Sequence, residues 1–239
     1  LFCSLSIAAV LVQFIKNKFQ IARWQGPQDT IYAAHRVDNE LNVKVGIAST
    51  LAAFFSAAGG ASVGQYGPLV HFGATLGALL KATLKLRITI DIVIGCGVAA
   101  AISAGFNAPL AGIMFAHEAI LRHFSMKAIA PIAIASGTAF AVHNYLWGAS
   151  TPLVQFYLPS EIGPILLISI TAGPFFGLIA LLFMSSILMF STLPKRMGLS
   201  IFQAFLVAVT GLSIIGTFYP EAMGLGTLAI VNLTNESPL

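Results

Sequence analysis

The sequence predicts an all-α membrane protein with tilted and broken transmembrane helices, and three observations carry that expectation. Of 239 residues, 57% are hydrophobic and only 8% are charged, with a mean hydropathy of +0.90. Basic clusters separate the apolar stretches, as they do between membrane spans. Glycine and proline interrupt several stretches where a simple span would be continuous. A soluble chain carries about 25% charged residues because its surface faces water. Here 12 Lys and Arg with 8 Asp and Glu cannot cover the surface. A soluble enzyme and a disordered chain are thereby excluded, and the lipid bilayer is the implied partner. The composition argues equally against nucleic acid as a partner, because no basic stripe is long enough to track a phosphate backbone.

The first apolar run, Leu1–Ile15, leads into Lys16, Lys18 and Arg23. It has neither the basic start nor the small-residue cleavage site of a signal peptide. With Leu1 in place of an initiator Met and a polar stop soon after an apolar run, the chain reads as a fragment with sequence missing on both sides. Val43–Gly60, Pro68–Leu80, Ile88–Gly105 and Pro109–Leu121 include pieces shorter than the roughly 20 residues of a comfortable span. Their breaks fall at Gly59-Gly60, Gly64, Gly67-Pro68 and Asn107-Ala108-Pro109. Interrupted helices are tolerated at membrane depth only where the freed backbone is buried or lines a cavity. In transporters such breaks aim helix N-termini at a substrate. Ala128–Trp147 and Ile162–Ser191 are better spans, the second expected to tilt or kink at Gly173-Pro174. Leu199–Phe218 follows Lys195 and Arg196. Cys3 and Cys96 lie in apolar segments and read as small core residues.

The chemistry concentrates in two stretches. In Gly59 to Ala74, Gly64 and Gly67 permit an irregular backbone and Pro68 suits the first turn of a helix. A helix N-terminus presents unpaired N–H groups and partial positive charge, so this break is a candidate anion site. The competing reading is a packing kink. In Ala99 to Glu118, small residues favour close helix contact, and Pro109 starts a new short helix ending near His117-Glu118. Glu118 is either a functional intramembrane acid or an interfacial partner of Arg122. A zinc helix would need His at i and i+4; the position four after His117 is Leu121, so the metalloprotease spacing fails and no metal site is predicted.

These two stretches resemble the CLC chloride channels and proton-coupled chloride transporters. Gly64-Gln65-Tyr66-Gly67-Pro68 with Val70-His71-Phe72-Gly73-Ala74 is similar to the family's G-x-E-G-P-x-V-x-I-G motif. Phe106-Asn107-Ala108-Pro109-Leu110-Ala111-Gly112 is similar to its F-N-A-P-L-A-G segment. The resemblance implies a CLC-type inverted-repeat fold, with 1–147 as most of the first repeat and 148–239 as the start of the second. It implies a homodimer in a bacterial inner membrane, multi-pass, with chloride or another small anion as permeant ion and no cofactor. The pore residues it implies are Gly26, Gly64, Tyr66, Gly67 and Pro68.

Departures from the family pattern shape the functional expectation. The G-S-G-I-P motif should fall near Trp24-Gln25-Gly26-Pro27-Gln28-Asp29-Thr30, where the anion-coordinating serine is lost and Thr30 is out of register. Tyr66 stands where proton-coupled members carry the gating Glu, and a phenol keeps its proton at neutral pH. Ala119 stands where a second Glu serves the internal proton route; Glu118 matches the residue before it. The expectation is passive, uncoupled conduction with Tyr66 at the external gate. The alternatives are a chloride/proton antiporter of the same fold, a structural membrane subunit, or a membrane enzyme. Gly216-Thr217-Phe218-Tyr219-Pro220 mimics the family's second-half G-x-F-x-P motif but reads as a turn.

All four basic clusters, Lys16–Arg23, Lys81–Arg87, Arg122–Lys127 and Lys195–Arg196, are expected on the cytoplasmic face, with Glu161 and Glu221 outside. Impermeant thiol reagents should therefore label cysteines placed at Lys85 and Glu161 from opposite sides. Labelling of both from one side contradicts this topology.

Overall fold

A chain this apolar has to satisfy its backbone N–H and C=O groups within its own segments, which in a bilayer favours helices. The structure is a computed structural model and describes residues 2–36, 41–148 and 162–226. Among the described residues there is no strand. The helices are α1 (Phe2–Lys18), α2 (Pro27–His35), α3 (Val43–Ala58), α4 (Tyr66–Leu84), α5 (Ile90–Phe106), α6 (Pro109–Phe115), α7 (Met126–Trp147), α8 (Ile162–Arg196) and α9 (Ile201–Phe218). A π-helical turn, Ala116–Leu121, continues α6, and a short 3₁₀ turn, Pro220–Ala222, follows α9. Glu161, which entered the topology argument, lies outside the described residues.

Local chemistry sets the ends. Lys16 and Lys18, Lys81, and Lys195 with Arg196 occupy the last turns of α1, α4 and α8, where the negative end of the helix dipole favours cations. Lys81 also donates to the carbonyls of Leu86 and Ile88, closing the turn into α5. Asn107 ends α5 in the left-handed region at φ 54°, and Pro109 opens α6. Asn tolerates that conformation better than other non-glycine residues.

The structure revises several expectations. The helix expected from Pro68 to Leu80 begins at Tyr66 and runs to Leu84. Pro68 is accommodated because first-turn N–H groups have no intrahelical partner anyway. α8 includes Pro174 and continues past the expected end at Ser191 to Arg196. At 35 residues it is roughly 50 Å long, more than the ~30 Å hydrocarbon thickness. Cys3 is exposed and Cys96 half-buried, so Cys3 is not a core residue. Met126–Trp147 and Ile165–Arg196 are the described helices long and apolar enough to cross a membrane unaided.

The core is a glycine-rich seam. α4 and α5 run antiparallel: Gly73 faces the Gly97 carbonyl, and a Cβ on Gly77 would meet the Val93 carbonyl oxygen at 2.6 Å. Around it pack Val70, Ala74, Ala78, Ile94, Val98 and Ile102. α7 lies parallel to α5. Ile132 sits against Gly95, Ser103 Oγ donates to the Ser136 carbonyl at 2.7 Å, and Asn144 Nδ2 donates to Asn107 Oδ1 at 3.0 Å. Parallel packing brings the chain ends near Arg87 and Lys127 to one end of the helix pair. α1 and α3 run antiparallel, with Ser4 Oγ donating to the Gly59 carbonyl at 3.1 Å and Ile15 clustered with Ala48.

The seam makes a direct prediction. A methyl group at Gly97 collides with the Gly73 carbonyl, which is backbone and cannot swing aside. Gly97→Ala should cost about 1–3 kcal/mol of stability through overpacking. Gly137→Ala, where a Cβ meets nothing within 4 Å, should be neutral or stabilising. Thermal unfolding of the two variants in detergent tests the contrast; equal melting temperatures contradict it.

Candidate functional site

The site grows from two helix starts. Gly26 precedes α2 in an extended conformation and Pro27 is the first helical residue. Proline suits that position because its missing N–H would be unpaired there. Asp29 caps the same end: its Oδ2 accepts the Gly26 N–H at 2.9 Å, and its Oδ1 pairs with Arg23. α4 starts at Tyr66, with Gly67 and Pro68 in its first turn. A Cβ on Gly67 would lie 3.3 Å from Pro27 Cγ, so the two helix starts touch. One turn deeper, Thr30 Oγ1 and His71 Nδ1 are hydrogen-bonded at 2.9 Å in full burial. α2 and α4 therefore run parallel, positive ends together. That juxtaposition favours negative charge.

Two cavities flank the contact and share Pro27. The first, about 300 Å³, is lined by Gln25, Gly26, Ser49, Pro68 and His71 among others. The second, about 400 Å³, is lined by Tyr66, Gly67, Ile102, Phe106, Ala108 and Phe115. Tyr66 stacks on Phe106 with ring centroids 3.9 Å apart and planes 19° from parallel. Its ring thus forms a wall of the second cavity and does not line the first, which holds the polar side chains Gln25, Ser49 and His71.

The structure brings together Gly26, Tyr66, Gly67 and Pro68, distributed over these two cavities. Gly64 is exposed and lines neither. A Cβ there would meet nothing within 4 Å, so no packing constraint explains a glycine at that position. Ala119 lies apart, half-buried on the π-helical turn, beside an exposed Glu118. No ion pair joins Glu118 to Arg122 among the described residues. Of the segment read as a turn, Gly216–Phe218 instead forms the last residues of α9, and the chain turns only from Tyr219 into the 3₁₀ turn at Pro220.

The motif comparison missed four lining or supporting groups. Ser49 on α3 accepts the Gln25 N–H at 3.0 Å, and both side chains line the polar cavity. Thr30, out of register for the lost serine, serves to hold His71. His71 Nε2 and Gln25 Oε1 are buried and have no hydrogen-bond partner among the described residues. A buried polar side chain without a partner is rare and signals a bound group or strain. That signal exists only in three dimensions.

Comparison with known proteins accords with this geometry. The family model described as voltage gated chloride channel matches residues 5–239. The voltage-gated ClC-type chloride channel ClcB of Yersinia pseudotuberculosis serotype O:1b (strain IP 31758) is 23% identical over 155 residues, covering 64% of this chain and 37% of that protein. ClcB of Yersinia pestis matches at the same identity and coverage. The chain thus aligns with 37% of the length of these curated relatives. The crystal structure of a CLC-type fluoride/proton antiporter shares the fold with a TM-score of 0.78 and 22% identity, over 100% of this chain and 62% of that one. By the match along nearly its whole length and by its helix arrangement, the chain belongs to the voltage gated chloride channel (CLC) family.

Proposed function

We propose that this protein conducts chloride or a similar small anion passively across a membrane, without coupling to protons. The observation that carries the reading is Tyr66 at the family's gating position, held against Phe106 by ring stacking. A gating carboxylate must swing and exchange a proton. A stacked phenol is held in place and has no carboxylate to offer. The loss of a carboxylate at Ala119 removes the second proton-carrying position. The paired starts of α2 and α4 supply the positive potential an anion needs in a low-dielectric path.

A second reading, anion/proton antiport, is supported by the solved relative described as a fluoride/proton antiporter. It would need a titratable group at a position other than 66 and 119, and the buried His71 and His117 are the candidates. For assembly, the proposal is a homodimer through α6 and α7. In support, Leu110, Ile134, Val142 and Tyr145 leave apolar surface uncovered there, and flat apolar faces with small residues associate in bilayers.

Reversal potentials of the full-length protein in planar bilayers should follow the anion gradient and ignore an imposed proton gradient. Stoichiometric proton uptake driven by chloride favours antiport instead. Tyr66→Ala removes a stacked pair worth about 0.5–1.5 kcal/mol and should open the external path, raising unitary conductance. Unchanged conductance takes Tyr66 out of the pathway. Cysteines introduced at Ile134 and Val142 should cross-link between subunits, and consistently monomeric behaviour contradicts the dimer.

A further inference from the structure

The geometry points to His71 as the anion-coordinating side chain of the polar cavity, donating from Nε2–H in place of the hydroxyl that the α2 start lacks. The inference deepens the anion-conduction reading and rests on it. His71 is 1% exposed, lines the cavity beside Gly26 and Pro68, and leaves Nε2 without a partner among the described residues. Its other nitrogen is held by Thr30. The hydroxyl proton of Thr30 has no other acceptor among the described residues, so the arrangement that satisfies both groups has Thr30 donating to Nδ1. In a neutral imidazole the hydrogen then sits on Nε2. Thr30 is therefore a positioning residue that selects the donor tautomer.

The polar groups of the lining, set in walls that Val12, Trp24 and Phe205 make largely apolar, fit an anion better than a cation or a neutral solute. Thr50 and Ser56 spend their hydroxyl protons on the carbonyls of Gly46 and Ala52 in their own helix. Ser49 accepts from Gln25 N–H, and its own proton has no acceptor among the described residues, so it is a second donor to the cavity. Gln25 adds an unpartnered carboxamide, whose oxygen and nitrogen positions are interchangeable by rotation. Asp29 is the carboxylate whose field reaches His71, and the Gly26 carbonyl is a backbone hydrogen-bond acceptor beside the ring, so it competes with a bound anion for a ring N–H. The Asp29 charge is met by Arg23 and by the Gly26 N–H, so it does not face the cavity bare. A monovalent, largely desolvated anion of halide size would thus meet donors from α3 and α4 at the positive starts of α2 and α4.

Chloride is the probe. In the full-length protein, titration with chloride should shift the ¹⁵N resonance of His71 Nε2 saturably, and gluconate should leave it unmoved. His71→Leu should weaken chloride binding, read calorimetrically, by about tenfold or more, the loss expected for a hydrogen bond to a charged group. His71→Gln retains an N–H donor and should recover most of that loss. Thr30→Val frees Nδ1 and should weaken binding partially while changing the chloride/thiocyanate permeability ratio in the same direction as His71→Leu. A His71 resonance insensitive to chloride overturns the inference even if His71→Leu fails to fold. Undiminished chloride binding in a folded, conducting His71→Leu protein also overturns it, while leaving anion conduction intact. Absence of anion flux in the wild-type protein overturns both.

Discussion

The arrangement depends on how closely α4 and α5 approach each other. Lipid tails are as apolar as leucine, so burying apolar side chains against one another drives little association in a bilayer. What remains is van der Waals contact and hydrogen bonding, and both improve as backbones come together. Gly73 and Gly97 each face the other's carbonyl, and Gly77 faces that of Val93. No side chain fits between them. This contact sets the height and rotation of α4, and with them the positions of Tyr66 against Phe106 and of His71 against Thr30.

Broken helices release backbone groups that must find partners inside the protein. The break at Asn107-Ala108-Pro109 shows how α7 supplies them. Ser136 Oγ donates to the Pro109 carbonyl at 2.7 Å, and Asn144 holds the Asn107 amide at 3.0 Å. Ser103 in turn donates to the Ser136 carbonyl, tying α5 to α7 a turn before the break. The polar residues of α7 act as a brace for the segment that carries Phe106, the surface on which Tyr66 rests.

Pro27 sits at the boundary of two unlike environments. On one side the walls are aromatic and aliphatic, with Tyr66, Phe106 and Phe115. On the other, Gln25, Ser49 and His71 add polar groups to walls that include Val12, Trp24 and Phe205. An anion has reason to dwell only where donors are present, because an unpaired charge in an apolar cavity has nothing to replace its water. The two helix starts form the partition between these two cavities.

The membrane class, the helical segments and their breaks were legible in the sequence. Hydropathy, basic clusters, and residues such as Pro109 and Asn107 act locally, through a side chain's own solvation or its own φ range. The paired motifs pointed to Tyr66, Gly67 and Pro68, but not to their division between two cavities. Other features depended on which helix faces which. Thr30 and His71 are 41 residues apart, and nothing local to either marks the other as its partner. Ser49, Gln25, the parallel run of α5 and α7, and the exposure of Cys3 and Gly64 were equally silent. Helix periodicity says where a side chain lies on its own cylinder. Only the contact between cylinders, set here by glycine-permitted backbone approach, decides whether that side chain meets lipid, a hydroxyl or an empty chamber.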